Sequence, residues 1–241
     1  MVARYNEVIF AGGLCTLVNE AAAHSPSESW HPAKSEIEHL VSLGATIHSS
    51  CAELRGSMAF SDSCFEPFLT SLVSRGVAEC FVLSTCNRVE LYAVARNHDV
   101  LLQALSAHCG RPAEELSRML QKRKGPEVVS HLFSVCSGID SAVLGETEIV
   151  SQLKTGWQIA EDAGTVGPIL GTVLRMALAT GKRVRSETTI SRAVTSIASL
   201  AMREASRRAK GLHDKRLLIV GAGAAAMSAV KYLVEHLPAE A

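Results

Sequence analysis

Cys86 is the first residue whose type and surroundings indicate chemistry, and Arg88 lies two positions after it. A cysteine reacts as its thiolate, and a free thiol with its ordinary pKa of ~8.5 is only a few per cent thiolate at neutral pH. A nearby guanidinium favours the thiolate if both side chains point the same way. The pair therefore marks a candidate nucleophile. Taken alone, it favours the alternative that Cys86 is one of seven small apolar cysteines in a core.

A second chemical pattern is a glycine-rich run that follows the apolar residues 216–220. A predicted strand, the spacing G-x-G-x-x-G/A and a predicted helix are typical of a dinucleotide-binding loop, in which the helix N-terminus donates to a pyrophosphate. The alternative is a small-residue turn of an ordinary α/β protein. The loop would comprise Gly221, Ala222, Gly223, Ala224, Ala225 and Ala226. The residue that separates NAD from NADP falls ~20 positions further on, beyond Ala241, so this motif leaves the cofactor open.

Three other polar groups have structural explanations that need no function. Glu146, Glu148 and Gln152 lie near the start of a predicted helix, where carboxylates suit the helix dipole. His131 has apolar neighbours, as a satisfied core histidine would. A basic cluster could contact nucleic acid, or it could be a solvated helix face; it comprises Lys182, Arg183 and Arg185.

The composition is that of a folded protein, with 47% hydrophobic and 20% charged residues and a formal net charge of zero. This balance argues against a globally basic nucleic-acid binder. An odd number of cysteines without a CxxC pair argues against a disulfide framework or a structural zinc site, so no metal site is predicted and a reducing compartment is favoured. No apolar run reaches the ~20 residues that a membrane helix needs.

Two β-rich stretches, 79–84 and 89–95, place Cys86 at a strand connection. Residues 35–43 form either a short helix or the approach to a strand, and residues 44–60 have the polar character of a loop. Phe65, Phe68, Leu69 and Leu72 recur at helical spacing, with Pro67 placed in the first turn of that helix. Further helices are predicted over 98–109, 112–122, 127–138, 147–163, 166–185 and 191–210, and after the glycine-rich run to about 237.

Five ordered blocks resemble the glutamyl-tRNA reductase family. Residues 84–92, STCNRVELY, resemble its STCNRxE(I/L)Y signature. The segment GIDSAVLGETEIVSQLK resembles the family's GLDSxVxGExQIxxQVK block, and GKRVRSET resembles GKRVRTET. HLF at 131–133 lies in the corresponding order, AVTSIAS at 193–199 continues the GKRVRSET block as a variant of the family's AVSVSSAA, and GAGAAA lies where the family has its NADPH loop. The resemblance weakens at 44–60, where Ser49-Ser50-Cys51 replaces a TAP triplet, although Gly44, His48, Glu53 and Arg55 are kept.

The resemblance implies the reaction and the roles of the site residues. Cys86 would attack the ester that joins glutamate to its tRNA, and hydride from NADPH would reduce the thioester to glutamate-1-semialdehyde, the entry to tetrapyrrole and chlorophyll synthesis. Arg88 would pair with the substrate carboxylate, Glu146 or Glu148 would bind the α-ammonium, and His131 would act on the carbonyl or as an acid/base. The other substrate-contacting positions are Ser49, Thr85, Asn87, Ser141, Thr147 and Gln152.

The expected fold class is an α+β catalytic domain followed by long helices and the start of an α/β Rossmann NADP-binding domain. The predicted divisions are a weakly ordered leader at 1–35, the catalytic domain at 36–165, connecting helices at 166–212 and an incomplete Rossmann domain at 213–241. The family implies a homodimer in the full-length protein and glutamate-1-semialdehyde aminomutase as a partner, in a plastid stroma or a cytoplasm according to source. Two alternatives stay open: a non-catalytic paralogue that binds tRNA or a regulator, and an unrelated NAD-dependent dehydrogenase.

Overall fold

The computed structural model describes residues 37–190, 197–212 and 215–236. The predicted leader at 1–35 lies outside the described residues. The strands are β1, Leu40–Thr46; β2, Glu79–Ser84; β3, Arg88–Val94; and β4, Gln121–Lys124. The helices are α1, Ala52–Met58; α2, Asp62–Ser74; α3, Asp99–Cys109; α4, Ala113–Met119; α5, Pro126–Cys136; α6, Glu148–Asp162; α7, Pro168–Glu187; α8, Ile197–Ala209; and α9, Ala224–His236.

The four strands of the described residues form one antiparallel sheet, in the order β2-β3-β1-β4. Its central strands β1 and β3 are buried at every position, which explains their nearly continuous run of apolar and β-branched residues. Gly44 in β1 is needed because a Cβ there would collide with the backbone of Val89 and Glu90 on β3. The prediction of an α+β domain is confirmed.

Helices cover the sheet through small residues that allow close backbone approach. Gly156 of α6 lies against β2, where a Cβ would come within 2.5 Å of the Val82 carbonyl oxygen. Gly181 of α7 lies against the Cys136 carbonyl at the end of α5. Helix α2 buries the four apolar residues that predicted it. These contacts fix α6 against β2 and α7 against α5.

The start of α7 is held by a carboxylate from the sheet. Glu79, the first residue of β2, is 6% exposed. Its two carboxylate oxygens accept hydrogen bonds from the backbone N–H groups of Ile169 and Leu170, at 3.0 and 2.6 Å. An anion at this end of a helix satisfies unpaired donors and opposes the positive pole of the helix dipole.

Four local predictions are wrong, each for a physical reason. Residues 44–46 of the predicted 44–60 loop belong to β1, and part of the 112–122 helix belongs to β4, because pairing with a neighbouring strand outweighs weak local preference. Residues 52–58 of the same predicted loop form α1, which buries Leu54 and Met58. Pro67 lies in the second turn of α2, which begins five residues earlier at Asp62. Residues 216–220 form no strand, and Leu218 and Val220 are 88% exposed. A parallel strand forms only beside partners, and the described residues offer this segment none.

The substitution Gly156→Ala tests the close approach of α6 to β2. We expect it to lower the free energy of unfolding by about 1–3 kcal/mol, because the added methyl group forces the helix away from Val82. Gly56→Ala is the matched control: it lies within α1 with nothing within 4 Å of its Cβ position, and we expect a gain of about 0.5–1 kcal/mol. Urea denaturation of both variants measures the two changes, and equal changes would contradict this packing.

Candidate active site

Cys86 lies at the tip of the turn that joins β2 to β3. The Thr85 N–H donates to the Arg88 carbonyl at 2.8 Å, and the Thr85 hydroxyl accepts from the N–H groups of Asn87 and Arg88, each at 3.1 Å. A threonine hydroxyl that accepts two backbone N–H groups fixes the turn by side-chain hydrogen bonding. The turn therefore presents an exposed Cys86 on a backbone that is held at both ends.

The β1–α1 segment holds the same turn from the other side. The Ile47 N–H donates to the Asn87 carbonyl at 2.8 Å, and Arg55 Nε donates to the Cys86 carbonyl at 3.2 Å. Arg55 is 8% exposed, and its Nη1 also donates to the Ser50 carbonyl at 2.5 Å. Arg55 therefore connects the middle residue of the Ser49-Ser50-Cys51 triplet to the backbone of the candidate nucleophile.

Cys86 differs in exposure from two buried cysteines, Cys80 and Cys136. Burial raises the pKa of the Cys80 thiol to about 12, and it does the same for Cys136. Thiols with such pKa values are almost wholly protonated at neutral pH and are poor nucleophiles. Cys86 is exposed at the turn, so its sulfur is accessible to a ligand.

Arg88 begins β3 and is 2% exposed, yet its guanidinium is fully charged. Burial works against that charge, and the attraction of Glu90 and the other nearby groups outweighs it, so the pKa of Arg88 is raised. Its Nη1 donates to Glu90 Oε2 at 3.0 Å and contacts Asp140 Oδ2 at 3.5 Å, while Nη2 donates to the Asp140 carbonyl. Among the described residues these contacts leave two of its five donors for a ligand.

Glu90 is a buried carboxylate surrounded by donors. His131 Nε2 lies 2.6 Å from its Oε1, and the Tyr92 hydroxyl donates to its Oε2 at 2.9 Å. Although burial alone would raise the pKa of Glu90, the His131 hydrogen bond and the positive charges nearby lower it to about 2. The carboxylate is therefore ionised at all ordinary pH values, as a buried charge with full hydrogen bonding can be.

Asp140 joins this network to the surface. Its Oδ2 lies 3.4 Å from His131 Nδ1, and its Oδ1 lies 3.5 Å from the Nε2 of His48. Both ring nitrogens of His131 thus face a carboxylate oxygen. Asp140 is only partly buried, with 23% of its side chain exposed. Glu90, Arg88, His131, Asp140 and His48 therefore form a continuous network of polar contacts from the core to the surface.

A glycine pair shapes the loop that carries Asp140, Ser141 and Glu146. Gly138 and Gly145 both have positive φ angles, 71° and 83°, and the Gly145 N–H donates to the Gly138 carbonyl at 2.7 Å. A Cβ on Gly138 would come within 2.8 Å of the Gly145 Cα. The two residues therefore need to be glycine for the loop to close on itself.

The sequence-predicted residues meet in one cleft beside Cys86. Seven of them line it, together with Ala142 and Ile149: Thr85, Cys86, Asn87, Arg88, Glu146, Glu148 and Gln152. Burial raises the pKa of Glu146, and repulsion by Glu148 raises it further, while the nearby Ser141 hydroxyl and Arg88 act in the opposite direction. An added cation would stabilise the charged form of Glu146 against the repulsion by Glu148.

The remaining predicted residues lie elsewhere. Ser49 belongs to the β1–α1 turn, where its hydroxyl accepts from the Thr46 N–H at 3.0 Å. Thr147 is the N-cap of α6, Ser141 is buried in the glycine-shaped loop, and His131 lies behind Arg88 in the charged network. Residues 221–226 precede and begin α9, outside the cleft lining.

Sequence reasoning assigned no role to Arg55, Glu90 or Asp140. Arg55 and Glu90 lie inside the blocks that resemble the family, and Asp140 lies beside the assigned Ser141. The available signal was a charged residue at a strand position of an otherwise apolar run, as Glu90 is in RVELYAV. Such a residue is rarely buried without a partner, so it predicts one.

Comparison with known proteins places the chain in a family. The family model "Glutamyl-tRNAGlu reductase, N-terminal domain" matches residues 43–188. Curated glutamyl-tRNA reductases from Desulforudis audaxviator and Stenotrophomonas maltophilia are 40% and 38% identical, each over 80% of this chain and 44% of their own length. A solved glutamyl-tRNA reductase from Methanopyrus kandleri is similar with a TM-score of 0.58 and 36% identity, over 82% of this chain and 47% of that one.

The chain therefore belongs to the glutamyl-tRNA reductase family. It spans about half the length of the curated relatives it matches. No helix in the part of the chain that the structure describes is long and apolar enough to cross a membrane.

The substitution Glu90→Gln tests the buried network through pH. Because the pKa of Glu90 falls from 4.5 to about 2 on folding, its stabilisation is complete above the ordinary value and is lost as the pH falls towards 2. At pH 7 we expect the variant to be less stable by about 3 kcal/mol, with Arg88 left poorly compensated. The difference in the free energy of unfolding between variant and wild type should narrow as the pH falls from 4.5 to 2. Urea denaturation at several pH values measures this difference.

Glu115→Gln is the matched control for that experiment. Glu115 forms an exposed i,i+4 pair with Arg111, so its loss should cost less than about 1 kcal/mol. A pH-independent gap for Glu90→Gln, or a gap no larger than that of the control, would contradict the assigned charge state.

Proposed function

We propose that Cys86 is the nucleophile that removes glutamate from glutamyl-tRNA. The observation that carries the proposal is the exposure of Cys86 on a rigid turn, at the edge of a cleft with both a buried arginine and a pair of carboxylates. Glutamate itself carries two features that such a cleft can bind, a carboxylate and an ammonium group. Membership of the family supports this substrate.

The cleft can recognise the two charged groups of the amino acid separately. Arg88 has two donors left by Glu90 and Asp140 among the described residues, enough for the side-chain carboxylate of a substrate. The Glu146 and Glu148 pair supplies the complementary negative site. An incoming ammonium would relieve their repulsion and favour the charged form of Glu146.

The first half-reaction uses only groups of the described core. The Cys86 thiolate attacks the ester carbonyl and forms a C–S bond, and collapse of the tetrahedral intermediate breaks the bond from the acyl carbon to the ribose oxygen. The ribose oxygen takes a proton from water and leaves as the RNA hydroxyl, and glutamate stays on Cys86 as a thioester. His131 faces Glu90 and Asp140 with both ring nitrogens, so we assign it to positioning Arg88 and Asp140 rather than to direct contact with the acyl group.

The second half-reaction needs NADPH, which would supply hydride to reduce the thioester to glutamate-1-semialdehyde for tetrapyrrole synthesis. Residues 221–226 fit the phosphate end of a dinucleotide in part. Gly221 has a φ of 114°, a Cβ at Gly223 would meet no neighbour within 4 Å, and α9 begins at the next residue. The preceding strand is not formed, so the Rossmann domain stays a prediction, as do the homodimer and the aminomutase partner.

The substitution Cys86→Ser tests the nucleophile. We expect it to abolish acyl-enzyme formation while the fold persists, because a serine alkoxide is far harder to generate at neutral pH. The measurement is covalent label on the protein after incubation with radiolabelled glutamyl-tRNA. The matched control is Cys51→Ser, at another exposed cysteine, which should label as wild type does. Wild-type labelling of Cys86→Ser would remove Cys86 from this role.

The division of the half-reactions gives a separate prediction. Because thioester formation uses residues before 165, we expect the 241-residue chain to acquire label at the same rate with and without NADPH. Water then accepts the glutamyl group from the Cys86 thioester, and the product should be free glutamate. NADPH-dependent semialdehyde from this chain, detected by its reaction with a carbonyl reagent, would contradict the division.

A further inference from the structure

A second concave surface lies between α6 and α7. It is a groove of about 450 Å³, lined by Val150 and Lys154 from α6 and by Arg175, Leu178, Lys182 and Arg185 from α7. Its lining combines apolar side chains with basic ones, whose aliphatic stems can lie along apolar surface. We call this surface the basic groove.

The lining of the basic groove carries four cationic side chains and no carboxylate. Three of them form no ion pair with any residue that the structure describes: Lys154, Arg175 and Lys182. Arg175 instead donates to the Thr172 hydroxyl, and Arg185 donates to the Cys136 carbonyl at 2.6 Å.

Pairing is the pattern at the neighbouring surface of the same helix. Arg183, one residue from Lys182, lies 3.0 Å from Glu187. On α8, Arg207 and Arg208 both pair with Glu204. Concentrated positive charge without compensation raises the local electrostatic potential and attracts a polyanion. The basic groove is therefore a charged surface of a different kind from the paired helix faces nearby.

Helix α6 is shared between the basic groove and the Cys86 cleft. Ile149 and Gln152 line the cleft, whereas Val150 and Lys154 line the groove. An α-helix with its side chains is about 10–12 Å across, so the two surfaces are separated by roughly that distance. An aminoacyl ester lies at one end of its RNA. A phosphate backbone within a few nucleotides of that end can therefore reach the groove while the ester reaches Cys86.

We propose that the basic groove binds the sugar–phosphate backbone of the RNA whose acyl group enters the Cys86 cleft. The proposal rests on the proposed function for its choice of RNA. Lysine and arginine neutralise phosphates without reading sequence, and they release counterions as they do so. The groove thus supplies affinity and register for the RNA, and the cleft supplies recognition of the amino acid.

The test is binding of a fluorescently labelled, uncharged transfer RNA to the 241-residue chain, followed by anisotropy at several salt concentrations. Lys154→Ala combined with Lys182→Ala should raise the Kd at least tenfold at ~0.1 M salt and reduce the slope of log K against log salt by about two. The conservative pair Lys154→Arg and Lys182→Arg should retain binding. The matched control is Lys122→Ala with Lys124→Ala, which removes the same charge from the exposed side of β4.

Each arm has an outcome that decides the proposal. Unchanged binding by the groove variant, an equal loss in the β4 control, or no binding by wild type would overturn it. Displacement of the RNA by inorganic pyrophosphate at equal phosphate concentration would show a small-anion site instead, and would also overturn it. The groove variant should need at least tenfold more glutamyl-tRNA than wild type for half-maximal labelling of Cys86, and half-maximal labelling at the wild-type concentration would overturn the proposal. Because the binding arm uses uncharged RNA, failure of the nucleophile proposal would be seen only in the labelling arm.

Discussion

The ionised carboxylate of Glu90 is the constraint around which β3, α5 and the candidate site are organised. A charge removed from water is costly unless donors surround it, and Glu90 has them from Arg88, Tyr92 and His131. Those donors come from one strand and one helix, so the charge fixes α5 against β3. Arg88 in turn draws in the loop at Asp140. The position of the cleft residue Arg88 is thus set by a group that never touches the cleft.

In the candidate site, the residues that hold the structure in place differ from the residues that can contact a ligand. The buried network holds the base of the turn, the Thr85 hydroxyl holds its backbone, and Arg55 holds the Cys86 carbonyl. Cys86 itself is exposed beside the cleft. A site whose contacting groups are locked by neighbours loses little entropy when a substrate binds.

Most residues of the cleft could be predicted from the sequence, but the buried network that positions them could not. The turn at Cys86 followed from two β-rich stretches, and seven predicted residues do line one cleft because they lie in two sequence blocks that fold together. The Glu90–His131 contact joins residues 41 positions apart and has no local signal. The strand β4 has the sequence QKRK, whose polar side chains indicate no strand until β1 provides a partner. The segment at 216–220 shows the converse, an apolar run with strand preference but no partner among the described residues.

The carboxylate of Glu79 has a mechanical consequence for α7. The helix has 20 residues and is therefore about 30 Å long, with the Glu79 hydrogen bonds at its first turn and Lys182 and Arg185 near its last. A rod of that length acts as a lever: a tilt of about 5° at the held end moves the far end by about 2.5 Å, comparable to the length of a hydrogen bond. Glu79, at the edge of the sheet, therefore controls the position of Lys182 and Arg185, which lie several helical turns away.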